Sequence, residues 1–164
     1  MNLKKLFEMQ EKLDNRIESE HNLQNQELFY KKILALQVEV GELANETRCF
    51  KFWSLKKPSE ASIILEEYVD CLHFILSIGL ETNFQNIGLN ESLNFKDNAD
   101  ITSMFLDLNE KINTFAKDKS EKSYIDLFEK FILLGNALGF SNKDVEKAYL
   151  SKNEINHKRQ DEGY

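Results

Sequence analysis

Residues 36–80 read LQVEVGELANETRCFKFWSLKKPSEASIILEEYVDCLHFILSIGL, and the prediction of a helical fold starts from them. Apolar residues recur at helical spacing at both ends of this stretch. Between these ends lies a short basic and aromatic break, residues 50–58, which holds the only tryptophan and the only proline of the chain. Proline suits the start of a helix. We therefore predict two helices, at about 27–50 and 60–82, which pack antiparallel through the break.

Each of these helices carries a pair of acidic residues three positions apart. Glu39 and Glu42 lie in the first helix, and Glu67 and Asp70 lie in the second, after a gap of 24 residues. A step of three residues returns to nearly the same helix face, so each pair projects two carboxylates from one side. Four carboxylates facing each other in a partly dry site would protonate unless cations lay between them. Oxygen ligands favour Mg²⁺, with Mn²⁺ as the alternative, over zinc or copper.

The alternative interpretation of these acids is a solvated surface. A run of glutamates such as Glu39, Glu42 and Glu46 usually faces water. Two features favour a site instead. Gly41 interrupts the run, at a cost of about 1 kcal/mol relative to alanine in a helix, and the second acidic pair lies in a helix that is apolar nearly all round. Such a helix is central and buried, while its acids argue against a membrane span over residues 63–80.

The composition fits one all-α domain. Of 164 residues, 41% are apolar and 30% are charged, and there are only six glycines and one proline. The net charge of −7, without a basic block, argues against nucleic acid as a partner. Cys49 and Cys71 lie in predicted helices, and the charged N-terminus does not resemble a secretory signal, so a reduced cytoplasmic protein is predicted.

Apolar periodicity predicts four further helices, giving a bundle of five to seven. They cover residues 2–20, 99–116 and 121–138, and a last one is capped by Ser141. Residues 83–98 are predicted to be a loop, and Gly139 fits a C-terminal helix cap. The helix at 121–138 is apolar all round, which leaves surface for a second copy to cover and predicts a homodimer.

Four residues of the first and third helices fit either a ligand or the protein interior. Gln10 and Asp14 share one helix face. This face is either a stripe exposed to solvent or a polar pair that reaches into a pocket. His73 is interpreted as a core histidine, or as one that orients a ligand, rather than as a metal ligand. Phe74 offers a ring face to a planar ligand or packs in the core.

The break and the C-terminus contain the basic candidates. Lysines surround Trp53 in the break, where they would balance the charge of a polyphosphate beside a cation cluster. The alternative is an ordinary loop in which Trp53 closes the core. Residues 152–164 are either a frayed terminus or a segment that folds over an anionic ligand. The candidate donors of these two regions include Lys57, Lys152, Asn156 and Arg159.

These elements resemble the signature of the all-α NTP pyrophosphatase superfamily, which includes MazG-like enzymes and the dimeric dUTPases. The signature is the ExxE of residues 39–42 followed by the ExxD of residues 67–70. Four strings are similar to dimeric dUTPases in particular, namely LFEMQEKLD, KFWSLKKP, EEYVDCLHFILSIGL and the ending KNEINHKRQDEGY. The resemblance spans residues 6–164. Over residues 83–140 only the helical character of the sequence is similar.

The resemblance implies one domain over residues 1–164, with metal-site helices at about 27–82 and a lid at about 152–164. It implies Mg²⁺-dependent hydrolysis of dUTP, and also of dUDP, by attack of water on the β-phosphorus. All four carboxylates would bind Mg²⁺. Glu39 and Glu42 would be catalytic, and Glu42 would orient and deprotonate the attacking water.

The resemblance also implies substrate contacts. Gln10 and Asp14 match positions that read the uracil edge, and the family often has Asn where Asp14 stands. Phe74 would stack on the base, and Trp53 would close the pocket near the phosphates. The phosphate contacts would come from Lys57, Lys152, Asn156 and Arg159.

Two other functions fit the sequence. One is a related nucleotide pyrophosphohydrolase that acts on dCTP or another NTP. The other is a helical protein-interaction or regulatory module on the same scaffold. For the enzyme, a cytoplasmic homodimer without nucleic-acid or membrane partners is expected, and a protein regulator is compatible with it.

Overall fold

The computed structural model describes residues 1–89 and 100–163, which form six α-helices and contain no strand. The helices are α1 (Leu3–Glu20), α2 (Phe29–Thr47), α3 (Ala61–Glu81), α4 (Ile101–Asp118), α5 (Glu121–Ala137) and α6 (Asn142–Asp161). The predicted all-α class is confirmed. Part of the loop predicted at 83–98 lies outside the described residues. Within the described ranges, every helix is too short or too polar to cross a lipid bilayer.

Helix α3 is the centre of the bundle. It packs against α1, α2, α5 and α6, and its most extensive contact is with α2. The predicted apolar stripe of α2 is buried against the core, and it consists of Ile33, Leu36, Val40 and Leu43. Full burial of each such side chain stabilises the fold by about 1.5–3 kcal/mol. The core therefore holds α2 and α3, which carry the acidic pairs, side by side.

The connection between α5 and α6 follows the predicted capping pattern. Gly139 has a φ of +89°, a conformation that glycine adopts without strain, and it ends α5. Ser141 is the N-cap of α6, and it exchanges hydrogen bonds with Asp144 in a capping box. These local interactions set the direction in which α6 leaves the turn.

The C-terminus is helical, so the frayed interpretation is wrong as far as Asp161. Arg16 of α1 binds this segment twice, donating to the His157 carbonyl at 3.0 Å and to the Asp161 carboxylate at 2.6 Å. Lys152 and Asn153 are buried. Tertiary contacts with α1 and α3 thus hold residues that the sequence alone marks as polar and terminal.

The break between α2 and α3 lies on the surface, and the alternative interpretation, in which Trp53 closes the core, is wrong. Helix α2 ends at Thr47 because Arg48 adopts the left-handed conformation, with a φ of 57°. Trp53 is 65% exposed, and its ring lies edge-on to the rings of Phe50 and Phe52. The aromatic residues of the break therefore contribute little to the core.

Helices α3 and α5 meet at a position where only glycine fits. A Cβ on Gly79 would lie 2.1 Å from the hydroxyl oxygen of Tyr124. That hydroxyl is buried and donates a 2.8 Å hydrogen bond to the Ile75 carbonyl, so it cannot move without losing a partner. The close contact therefore requires glycine at this point of α3.

We expect Gly79→Ala to lower the free energy of unfolding by about 2–3 kcal/mol, because a packed helix pair would have to separate. Gly41→Ala in α2 is the matched control, since its Cβ would meet no described atom within 4 Å. This control should stabilise the protein by up to about 1 kcal/mol. Urea denaturation measures both changes. Equal stabilities of the two variants would contradict the packing described at Gly79.

Candidate active site

Helices α2 and α3 bring three carboxylates together. One oxygen each from Glu39, Glu67 and Asp70 lies within 4.8 Å of the others, and all three residues are partly buried. Oxygens that share one divalent cation at 2.0–2.6 Å are separated by at most about 4–5 Å. The three acids are therefore close enough to share one divalent cation.

Glu42 lies next to this group but is exposed and does not belong to the close set of three. The pKa of Glu39 is raised to about 7, first by burial and then by neighbouring carboxylates, of which Asp70 contributes most and Glu42 next. Burial likewise raises the pKa of Glu67. The cluster thus carries negative charge that the side chains around it only partly balance, which favours a cation.

Lys152 of α6 supplies a positive charge at the edge of the cluster. Its Nζ lies 2.7 Å from Asp70 and 2.9 Å from Glu66, and the residue is only 8% exposed. The pKa of Asp70 is nevertheless raised, because burial outweighs the attraction of Lys152. Lys152 was predicted from the sequence as a phosphate contact, and in this structure its contacts are carboxylates.

A cavity of about 350 Å³ lies beside the cluster, between α1, α3 and α6. This volume is within the range of small-molecule sites. Glu39 and Asp70 line it together with five residues predicted as substrate contacts, which are Gln10, Asp14, Phe74, Asn156 and Arg159. It is also lined by residues that were not predicted as substrate contacts, among them His73, Ser77 and Gln160.

Three predicted substrate residues lie apart from this cavity. Trp53 and Lys57 are exposed in the break, and neither lines it. Lys152 instead lines a neighbouring groove between α3 and α6. The spacing of α3 could have identified Ser77, because it lies seven residues after Asp70 and so shares its helix face.

The inner wall of the cavity is a buried hydrogen-bond network. Gln10 donates from Nε2 to Asp14 at 2.7 Å, and Ser77 donates to the other Asp14 oxygen at 2.6 Å. Tyr149 of α6 donates to Gln10 Oε1 at 2.8 Å. Gln10 is 3% exposed, so the solvated-stripe interpretation is wrong for this residue. The network joins α1, α3 and α6 at one point.

His73 completes this network and is a buried histidine, as predicted. Its Nδ1 lies 2.7 Å from Gln10 Oε1, and its ring stacks on Tyr149 with the centroids 4.2 Å apart. Burial, with a smaller effect of the Lys152 charge, lowers the pKa of His73 to about 3. The imidazole is therefore neutral in the folded protein over the physiological range.

This pKa shift predicts a loss of stability in mild acid. Below the ordinary pKa of 6.5 the unfolded chain binds a proton at His73 that the folded chain does not bind, so stability falls as pH falls. Between pH 7 and pH 5 the loss is about 2 kcal/mol. The buried acids oppose it, since their raised pKa values favour the folded state as pH falls.

Comparing wild type with His73→Gln isolates the histidine contribution, because both proteins retain the acids. Unfolding free energies from urea titrations at pH 7 and pH 5 should show a loss on acidification that is about 2 kcal/mol larger in wild type. The same pH dependence in both proteins would contradict a neutral, buried His73.

The fold and the site together define a class, an all-α bundle in which carboxylates of two adjacent helices cluster beside a ligand-sized cavity. A protein-family model described as dUTPase matches residues 2–164. A comparison with curated proteins found no match. The chain belongs to the all-α dUTPase family, as the resemblance predicted. The family consists of hydrolases that act on dUTP, so membership supports dUTP diphosphatase activity.

Proposed function

We propose that the chain hydrolyses dUTP to dUMP and pyrophosphate in a reaction that requires Mg²⁺, and that it also converts dUDP to dUMP and phosphate. The clustering of Glu39, Glu67 and Asp70 carries this proposal, because two of these acids, Glu39 and Asp70, line the cavity. Carboxylates held this close repel each other, and a divalent cation bound between them would remove this repulsion and also bind an anionic ligand.

In the proposed mechanism some of the acids bind the cation and one acts as the general base. Glu39, Glu67 and Asp70 would hold the cation, with Glu42 as a further ligand. When bound, Mg²⁺ neutralises charge on the phosphates and makes a water molecule more acidic. Glu42 is exposed at the edge of the cluster, where it can orient the attacking water and accept its proton, with Glu39 beside it.

The nucleotide is proposed to lie along the cavity. Phe74 is partly buried in the cavity wall and stacks on the base. Asn156 and Arg159 of α6 contact the phosphates, and the planar guanidinium suits their oxygens. Lys57 and Trp53 can contribute only if the break folds over the bound nucleotide, since neither lines the cavity in this structure.

Pyrophosphate release from dUTP, dCTP and dTTP, with and without Mg²⁺, tests the proposal. We expect Mg²⁺-dependent release that is fastest with dUTP, and phosphate release from dUDP. A preference for dCTP or another NTP would favour a related pyrophosphohydrolase. A folded protein that releases no pyrophosphate would favour a protein-interaction or regulatory module.

We also propose a single domain over residues 1–164, a cytoplasmic location and a homodimer. Cys49 and Cys71 are free thiols, which suits a reducing compartment. The apolar surface expected on α5 instead lies on α2, where Tyr30, Leu34 and Val38 are half or more exposed along one stripe. A second copy covering this stripe would remove it from water.

Leu34→Glu tests the dimer, because Leu34 is 61% exposed and a charge there would oppose burial in an interface. Light scattering after size exclusion should give the mass of two chains for wild type and of one chain for the variant. Ile155→Glu on α6 is the control and should stay dimeric. Two chains in both variants would exclude the α2 stripe, and a monomeric wild type would refute the dimer.

A further inference from the structure

The last two turns of α6, residues 154–161, have no buried side chain. The buried residues of this helix end at Asn153. The last two turns contain one large apolar side chain, Ile155, which is 44% exposed. Helix ends with few buried apolar contacts open locally at little cost in free energy. Polar contacts with a neighbouring helix are therefore needed to hold this end of α6 in place.

The same two turns form part of the cavity wall. Asn156, Arg159 and Gln160 line the cavity together with residues of α1 and α3. If this end of the helix unfolded, the three side chains would leave the cavity, and the cavity would open to solvent on that side. The order of residues 154–161 therefore determines whether the wall is complete before a ligand binds.

Arg16, in the last part of α1, binds the end of α6 through two groups. Its guanidinium donates to the His157 carbonyl at 3.0 Å and to the Asp161 carboxylate at 2.6 Å. Its Nε donates to Glu20, one turn further along α1, at 2.8 Å, and this bond orients the guanidinium. The helix dipole also favours a cation at the C-terminal end of α6. One planar set of donors thus joins the two helices.

A second contact from α1 lies beside the first. His21 Nε2 is 3.2 Å from Oε1 of Gln160, which is one of the cavity residues. The three residues of α6 that α1 contacts in this way are 157, 160 and 161, and their spacing places them on one helix face. The end of α1 therefore holds one face of the last turns of α6.

We propose that Arg16 is a positioning residue that keeps the end of α6 helical at the cavity before nucleotide binds. This inference rests on the function proposed above. The affinity for a ligand is reduced by the fraction of protein that is not in the binding-competent state. Without the Arg16 contacts, nucleotide would have to order residues 154–161 as it binds. Arg16 therefore affects the affinity for nucleotide and not the rate of the bound complex.

Hydrogen exchange of the nucleotide-free protein tests whether Arg16 holds the helix end. Arg16→Met keeps an unbranched side chain and removes the donors. We expect amide protection over residues 154–163 to fall about tenfold, while protection over residues 142–152 stays unchanged. Arg16→Lys keeps the charge but not the planar set of donors, so its protection should lie between those of wild type and Arg16→Met. Glu20→Gln is the matched control, because its amide oxygen can still accept from Arg16, and it should match wild type.

Kinetics and binding test the consequence for nucleotide. The KM for dUTP, and the Kd of its α,β-imido analogue at constant Mg²⁺, should rise about three- to tenfold in Arg16→Met. The value of kcat should stay within about twofold of wild type, because the same bound state forms at saturation. Asp161→Asn should raise KM less than Arg16→Met does. Adding Asp161→Asn to Arg16→Met should change KM little further, since the two residues share one contact.

Several results would overturn the inference. Unchanged protection over residues 154–163 in Arg16→Met would make its contacts ordinary surface ion pairs. Lower protection with an unchanged KM would show that the helix end does not contribute to binding. A loss of protection that extends over residues 142–152, with a lower free energy of unfolding in urea, would make the role of Arg16 merely structural. A wild-type chain that neither hydrolyses dUTP nor binds the analogue would refute the proposed function and the role in affinity, while exchange still reports whether Arg16 holds α6.

Discussion

Glu42→Gln is expected to lower kcat for dUTP by about 10³-fold, with a change of less than about 0.5 kcal/mol in the free energy of unfolding. Removing a general base typically costs 10²–10⁴ in rate, so about 10³ is the middle of that range. Glu42 is exposed and lies outside the close set of three acids, so its loss disturbs neither the core nor the main cation ligands. The amide is nearly isosteric but cannot accept the proton.

Initial rates at saturating Mg²⁺, together with urea denaturation, measure this effect. Glu46→Gln is the matched control, because Glu46 is one turn further along α2 and bonds Ser59 instead of the cluster. The control should retain nearly full activity. If both variants were equally active, Glu42 would not be the base.

Asp70→Asn is expected to impair cation binding as well as turnover. Asp70 is a member of the close set and also the nearer partner of Lys152. Replacing its carboxylate removes a charged ligand, and Lys152 is left as a positive charge close to Glu39 and Glu67. We therefore expect the Mg²⁺ concentration for half-maximal rate to rise about tenfold or more, and kcat to fall by about two orders of magnitude.

Glu66→Gln provides the control for this variant. Glu66 is the other partner of Lys152, but its side chain is mostly exposed and it is outside the close set. Its Mg²⁺ dependence should stay close to that of wild type. Mg²⁺ titrations of activity, and calorimetric binding of Mn²⁺ without nucleotide, distinguish the two variants. An identical cation dependence of wild type and Asp70→Asn would remove Asp70 from the proposed site.

Much of the architecture was predictable because it depends on short-range periodicity. Apolar spacing located the first five helices within a few residues, and Gly139 and Ser141 marked the turn at which α6 begins, but not where α6 ends. The three-residue steps in α2 and α3 predicted that acids would meet once the apolar stripes of these helices packed together. The family followed from the same motifs, and the match over residues 2–164 confirms it.

Other properties depend on contacts between residues that are distant in the chain. Local sequence patterns do not predict such contacts. Tyr149 and Gln10 are 139 residues apart, yet a 2.8 Å hydrogen bond between them joins α6 to α1 in the cavity wall. Lys152 and Asp70 look like separate ligand contacts in the sequence, and only the packing of α6 on α3 pairs them. In the sequence Trp53 fits either a loop that closes the core or a contact near a ligand's phosphates, but in the structure the break follows the left-handed Arg48 and Trp53 is exposed.

The helices and the acidic pairs can therefore be derived from the order of residues, since each is encoded within about one or two helical turns. The family follows from motifs spread along most of the chain. The inner wall of the cavity, the charge balance of the cluster and the exposed stripe of α2 arise when distant helices come together. Burial then decides which polar atoms keep partners and which, like His73 Nε2, have none among the described residues.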